Sequence, residues 1–404
     1  MMYLDTRGII GLTGIAIISL ASIVLINTYM IRSLLNSKSR TGHHDSGIFQ
    51  RADYEAVRIF FQAHPELEPS PLRRLSSLAA DVDIGDILLK DESGRFGLSA
   101  FKVVGVTYAF DQLFSDGRLS QNQAVICASS GNHGRAVARV AHERGLTAKV
   151  YVPRGTVTEK IEAIASEGAE VVVSDGSYET AVQQATNEAE EYGSIMISDT
   201  GWPGYEDIPR LIMAGYTRLL DEASADWGDL PPDVVLVQAG VGGLAAAVAS
   251  WFSFHFGPNR PFIVSCESTA APCLMESIRS DRPVSLDGPL DTVMAGLCCA
   301  KISDAVWPSI SHIFDACIAV SDDQAATTTR RLADPLPGDP LVIAGASGAC
   351  SLACLLAMLS ADELQYIRDA SGINSRSRVL VFNTEGATDP NYHARATEPS
   401  PVPV

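Results

Sequence analysis

Lys102 is the residue from which chemistry is most directly read. The chain has only six lysines, and Lys102 lies in the apolar run Ser99-Ala100-Phe101-Lys102-Val103-Val104-Gly105-Val106. Its nearest charged neighbours in sequence are Arg95 and Asp111. An amine in apolar surroundings is more readily neutral, and a neutral amine can form a Schiff base with an aldehyde. A lysine in such a run can equally lay its stem on the core and carry its ammonium to water. Two glycine-bearing turns offer a second kind of chemistry: Ser129-Ser130-Gly131-Asn132-His133-Gly134-Arg135 and Ala239-Gly240-Val241-Gly242-Gly243. Glycines let the backbone approach an anion, and a helix starting at such a turn presents free N–H groups to it. Asp199 ends an apolar run at Ser198-Asp199-Thr200. It could act as an acid or base, or cap a turn.

These residues need a scaffold that gathers loop ends. The apolar runs 124–128, 148–152, 170–173 and 195–198 read as strands, separated by an alanine-rich helix after the 129–135 turn and by helical patterns at 157–167 and 177–192. A second alternating set follows, with strands at 234–238, 261–266 and 379–382 and helices at 209–222, 244–256, 322–332 and 347–359. Lys102 opens a helix running to about Phe114, and a short strand at 86–89 precedes it. This alternation predicts an α/β fold of two lobes with parallel sheets, whose ligands gather at the carboxyl ends of strands.

Taken in order, the segments resemble a known superfamily. Arg95-Phe96-Gly97-Leu98-Ser99-Ala100-Phe101-Lys102, Gly131-Asn132-His133-Gly134-Arg135 and Ser198-Asp199-Thr200-Gly201-Trp202-Pro203-Gly204-Tyr205 carry the likeness. So do Gln238-Ala239-Gly240-Val241-Gly242, Met294-Ala295-Gly296-Leu297 and Thr384-Glu385-Gly386-Ala387-Thr388-Asp389. The set resembles the fold-type II pyridoxal phosphate enzymes, the tryptophan synthase β and threonine dehydratase superfamily, and within it the diaminopropionate ammonia-lyases. The resemblance covers about residues 50–390.

It implies a two-lobed α/β fold with parallel-rich twisted sheets, a smaller lobe over about 103–220 within a catalytic region 46–390, and a homodimer. It also implies site roles. Lys102 binds the cofactor aldehyde, and Gly240, Val241, Gly242 and Gly243 bind its phosphate. Asn132 meets the ring hydroxyl, and Thr384 faces the ring nitrogen. Ser130, Gly131 and His133 hold the substrate carboxylate, and Asp199 is an acid/base. The ammonia-lyases carry Asp where this chain has Ser130, and Glu where it has Ala346. Ser130 is similar to the serine of the Ser-Ser-Gly-Asn-His-Gly turn in serine racemases and dehydratases, an acid/base on the opposite face of the substrate. The activity implied is α,β-elimination on a small β-substituted amino acid, 2,3-diaminopropionate-like or serine/threonine-like, giving a 2-oxo acid and ammonia.

Other readings remain open. A β-replacement synthase uses the same cofactor. Gly240-Val241-Gly242-Gly243-Leu244-Ala245 fits the loose dinucleotide pattern, with Glu267 on a later strand, which allows an NAD-dependent dehydrogenase. A non-catalytic binding protein keeping the fold is a fourth. Gly345-Ala346-Ser347-Gly348-Ala349 lacks the last glycine of a nucleophile elbow, and Ser347 stands where a helix begins.

Composition narrows the classes. A formal net charge of −18 excludes a nucleic-acid surface of clustered cations. The eight cysteines show no paired metal-ligand spacing and read as free thiols, so no metal is expected. From Gly8 to Ile31 there are 24 residues without a charge. At about 1.5 Å per residue, a helix of roughly 36 Å would cross a bilayer. Arg32, Lys38 and Arg40 follow it, which predicts a single-pass anchor with the catalytic region facing the cytoplasm. Residues 1–45 are expected to be anchor and linker, and 391–404, rich in proline at the end, a disordered tail.

Overall fold

The chain's strands belong to two sheets, and each follows from its sequence pattern. In the computed structural model residues 31–39 and 48–398 are described. In chain order the first three strands are β1 (Arg32–Leu35), β2 (Leu72–Arg74) and β3 (Asp86–Asp91). The next four, β4 (Val125–Ala128), β5 (Ala148–Val152), β6 (Glu170–Val173) and β7 (Ile195–Met196), form a separate parallel sheet in the order β6-β5-β4-β7. The chain then returns with β8 (Val234–Gln238), β9 (Phe262–Ser268), β10 (Ala316–Val320) and β11 (Arg378–Asn383). These complete a seven-stranded sheet ordered β1-β10-β9-β8-β11-β3-β2, parallel in the middle and antiparallel at its two edge pairs.

Parallel strands covered on both faces read as continuous apolar runs, and β8, β9 and β10 are buried at every residue. Alternate side chains divide between two cores. Val235, Val237 and Ile263 face the core shared with helices 102–115, 207–216 and 243–256. Val234, Leu236, Val264 and Ile318 face helix 346–360. The helix that begins at Lys102 is fixed by an unusually close crossing with helix 207–216. A Cβ on Gly105 would lie 2.3 Å from the Ile212 carbonyl oxygen, and one on Gly215 would lie 2.8 Å from the Gly105 Cα.

Four expectations are corrected. Arg32–Leu35, assigned to the anchor and linker, is instead an edge strand paired with β10, and the buried Asn36 donates from Nδ2 to the Ser311 and Phe314 carbonyls at 3.1 and 3.0 Å. The domain boundary at residue 46 therefore falls too late. The tail is not disordered where it is described. Asp389 caps a helix Pro390–Thr397, and Tyr392 is buried with its hydroxyl 3.3 Å from Thr329 Oγ1. The single helix expected over 209–222 is two, Asp207–Tyr216 and Arg218–Asp226, and β10 was not foreseen. The expected span Gly8–Ile31 lies, except for Ile31, outside the described residues. Among the described residues no single helix is long and apolar enough to cross a membrane.

Candidate active site

The segment carrying Lys102 is locally strained and externally pinned. Phe96, Gly97 and Ser99 all have positive φ, at 45°, 74° and 59°. For residues other than glycine that conformation is costly and persists where the surroundings enforce it. Enforcement comes from both sides. Behind the loop, the buried Arg95 guanidinium is held by Glu92 (Nε to Oε2, 2.7 Å), Glu222 (Nη2 to Oε2, 2.6 Å) and Ser70 Oγ (2.7 Å). In front, the Ser99 carbonyl accepts from Gly386 N–H at 2.9 Å, and the Phe101 N–H donates to the Thr384 carbonyl at 3.2 Å. The turn 384–386 leaving β11 is thus stitched to the lysine.

Lys102 is not a surface snorkeller. Its side chain is 22% exposed, and its amine meets the Asp199 carboxylate. Asp199, just past β7, is itself 13% exposed. Burial works against its charge, but His133 and the Lys102 ammonium outweigh burial and hold the carboxyl well below the usual range. The apolar sequence around Lys102 therefore misdescribes its spatial neighbour: Val103, Val104 and Val106 turn to the core while the lysine faces a carboxylate.

His133 departs from expectation. Its ring is buried, with Nε2 2.9 Å from the Ile197 carbonyl and Nδ1 3.8 Å from Asp199. Burial pushes the imidazole down, and the Asp199 charge opposes it. The side chain supports Asp199 from behind and does not reach toward a substrate carboxylate. The partly exposed Ser130, Gly131 and Asn132 form the part of that turn open to the cleft.

The glycine turn after β8 has the shape its sequence promised. Gly242 has φ of 98° and caps the helix Gly243–Phe256, whose first N–H groups have no partner within the helix. A Cβ on Gly240 would lie 2.7 Å from the Gly296 carbonyl oxygen and 3.2 Å from Cys299 Sγ. Cys299 links the turn to the lysine. Burial pushes its thiol up to about 12, while the Lys102 charge and the Val241 N–H act in the opposite direction. The Cys299 thiol thus lies against the 240–243 turn and within reach of the Lys102 charge.

Two contributors escaped the sequence reading. Glu385 is buried, and its Oε2 accepts from Asn132 Nδ2 at 2.5 Å. Tyr178 begins helix 178–192, with its ring exposed. Burial of its hydroxyl, together with the Asp199 charge, pushes it up against a hydrogen bond to Thr200. Nothing local in sequence marks Glu385, because Asn132 comes from the other sheet; Tyr178 meets groups that follow β7. Glu267, the carboxylate a dinucleotide site needs, is fully buried. Its two oxygens accept from the Leu274 and Met275 N–H groups at 2.8 and 3.0 Å. It is not free to meet a ribose, which removes the support for a dehydrogenase.

The Lys102 amine meets Asp199, and the Asn132 amide meets Glu385 in the turn bonded to the Lys102 loop. A family model described as pyridoxal-phosphate dependent enzyme matches residues 64–370. The chain belongs to that family. Diaminopropionate ammonia-lyase of Escherichia coli strain K12 is 33% identical over 365 residues, covering 86% of this chain and 92% of the relative. The Salmonella typhimurium enzyme of the same name is 34% identical over 362 residues, with 83% and 90% covered. The solved E. coli enzyme, in complex with an aminoacrylate-PLP azomethine reaction intermediate, superposes with a TM-score of 0.84 at 32% identity, covering 92% of this chain and 97% of that one. Threonine deaminase isoform 2 of Solanum lycopersicum, at 22% identity and a TM-score of 0.74, shares the fold. Pyridoxal phosphate is the cofactor, and the residues fit it: the close approach at Gly240 leaves bare backbone for a phosphate, and the Cys299 thiol against that turn is within reach of the Lys102 charge.

Proposed function

We infer that this pyridoxal phosphate enzyme is an ammonia-lyase, eliminating the β-substituent of a small amino acid to leave a 2-oxo acid and ammonia. The observation that carries the reading is the Lys102 amine set against a buried, ionised Asp199 beside the 240–243 turn. Bound pyridoxal phosphate supplies an electron sink for bond-breaking at the substrate α-carbon. Lys102 would hold it through its amine, 240–243 would hold its phosphate, Asn132 would meet its ring hydroxyl and Thr384 its ring nitrogen. The freed Lys102 Nζ takes the α-proton. Asp199 holds a departing amine as its ammonium, and the Ser130 hydroxyl serves as the second proton carrier.

The same reading covers assembly and location. The family resemblance supports a homodimer. The 24 uncharged residues Gly8–Ile31, with Lys38 and Arg40 after them, support a single membrane span with catalysis on the cytoplasmic side.

The test is incubation of the cofactor-loaded protein with L- and D-amino acids bearing β-amino or β-hydroxyl groups, reading 2-oxo acid and ammonia. Lys102→Ala is expected to lose both product and the absorbance near ~420 nm that marks a lysine–cofactor linkage. A wild-type protein that binds the cofactor yet turns over no member of the panel refutes the lyase. Product formation only when a thiol or amine acceptor is added identifies a β-replacement enzyme instead.

A further inference from the structure

Glu385 receives bonds from three separate segments at the join of the two lobes. Asn132 Nδ2, in the first turn of the helix after β4, lies 2.5 Å from Oε2. Thr388 Oγ1 lies 3.3 Å from the same oxygen. The Ser347 N–H, at the start of helix 346–360, lies 3.3 Å from Oε1. The carboxylate has little room to swing, since a Cβ on Gly345 would lie 2.9 Å from Oε1 and the Gly345 N–H binds the Glu385 carbonyl at 2.9 Å. Burial pushes its carboxyl up from the usual range, against the Asn132, Ser347 and Thr388 donors, which favour the charged form.

An ionised carboxylate only accepts hydrogen bonds, whereas an asparagine amide has a donating and an accepting end. Opposite a carboxylate the amide has one good orientation, nitrogen toward Glu385. One of its two N–H bonds is then committed, and the amide plane is fixed. The second N–H is left for the cleft, where a ring oxygen is its natural acceptor. A neutral, two-ended partner at position 385 would allow the amide to turn over.

We propose that Glu385 is a positioning residue for the cofactor: from the large lobe it orients the small-lobe Asn132 amide so that its remaining N–H meets the cofactor's ring oxygen. This rests on the cofactor reading of the site. It makes the grip on the ring depend on the register of the two lobes, because donor and orienting group come from different sheets.

The test measures pyridoxal phosphate binding to the apoprotein by titration, without substrate, in wild type, Glu385→Gln, Asn132→Ala and the double variant. Glu385→Gln keeps the side-chain shape but admits both amide orientations. Its cofactor dissociation constant is expected to rise about tenfold, the effect of one charge-assisted bond. That effect is expected to vanish in the Asn132→Ala background, while the melting temperature of the apoprotein stays near wild type. An equal loss of affinity in both backgrounds, or no loss in either, overturns the proposal. Should Glu385→Gln not fold, Thr388→Val removes a donor to the same oxygen. It is expected to weaken binding about threefold, again only when Asn132 is present; unchanged binding overturns the proposal. Borohydride reduction of the wild type separates the two levels. Failure to trap the cofactor on Lys102 refutes the cofactor site itself, and trapping with an unaltered Glu385→Gln affinity refutes only the role of Glu385.

Discussion

Glu267 provides a pH-dependent stability whose size follows from its surroundings. It is fully buried near the end of β9, and burial pushes its carboxyl up to about 8 despite the Leu274 and Met275 N–H groups it accepts from. In the unfolded chain it returns to 4.5. The unfolded chain therefore loses this proton first as pH rises, and the folded state binds more protons between those two values. Stability falls with rising pH across that window, at about 1.4 kcal/mol per unit where the states differ by a full proton. Between about pH 6 and about pH 9 the linkage relation gives a loss of roughly 3 kcal/mol from this one group. Glu267→Gln keeps an acceptor at the helix start and cannot titrate. The assay is urea unfolding with reductant at both pH values, followed by tryptophan fluorescence. The eight thiols are common to both proteins and cancel in the difference. The variant is expected to gain on wild type by about 3 kcal/mol between the two conditions. Parallel profiles refute the reasoning, and would mean that the two N–H groups and the helix dipole keep Glu267 ionised in the fold.

Asp199→Asn is expected to keep the cofactor and lower turnover by about 10²–10⁴-fold, with the larger loss on β-amino substrates; equal kcat in variant and wild type speaks against the assigned role. Gly240→Ala places a methyl 2.7 Å from the Gly296 carbonyl oxygen, and cofactor titration is expected to show affinity weakened at least about tenfold. A chain beginning at Ile31 is expected to fold and remain in the supernatant while the full chain sediments with membranes; equal partitioning rejects the anchor. A chain beginning at Ile48 loses β1 and bares the edge of β10, and light scattering is expected to show aggregation.

What the sequence disclosed was whatever repeats locally. β8 and β9 were legible because a strand buried on both faces is one apolar run closed by a polar or glycine turn. β10, Ala-Cys-Ile-Ala-Val, has the same character and is bounded by Asp315 and Ser321, but it was missed because it is only five residues long and is built mostly of small side chains. β1 was hidden because Arg32 reads as the charge flanking a span, whereas its guanidinium pairs with Glu276 on the neighbouring helix. The break at Thr217 leaves apolar spacing intact. Its cause is visible only in the fold, where Thr217 Oγ1 donates to the Ala214 carbonyl at 2.6 Å. The last helix was signalled, since Asp389-Pro390 is a cap followed by a proline at the first turn, but the prolines near the end suggested disorder. In the site, the glycine turns and Lys102 were local features and were found. Glu385 and Cys299 acquire meaning from groups on other segments, and His133 exchanged its expected role because its ring packs inward.

The charges in the cleft bear on the substrate. Asp199 is held in its charged form, with the His133 ring behind it and the Lys102 amine in front. Lys102 can remove a proton only as a neutral amine, and in that state it no longer balances Asp199. A buried carboxylate left without a cation must find another or take up a proton. A substrate with a β-ammonium group supplies that cation at the moment the lysine gives it up, and departs as ammonia once the proton balance is restored. A β-hydroxyl supplies no charge, so Asp199 must first become an acid. With Ser130, not a carboxylate, in the facing turn, proton uptake on the two sides of the substrate is unequal. On the proposed roles, the amino-acid panel is expected to show higher kcat/KM for β-amino than for β-hydroxy substrates and for one enantiomer over the other; equal values refute the assignment of Asp199.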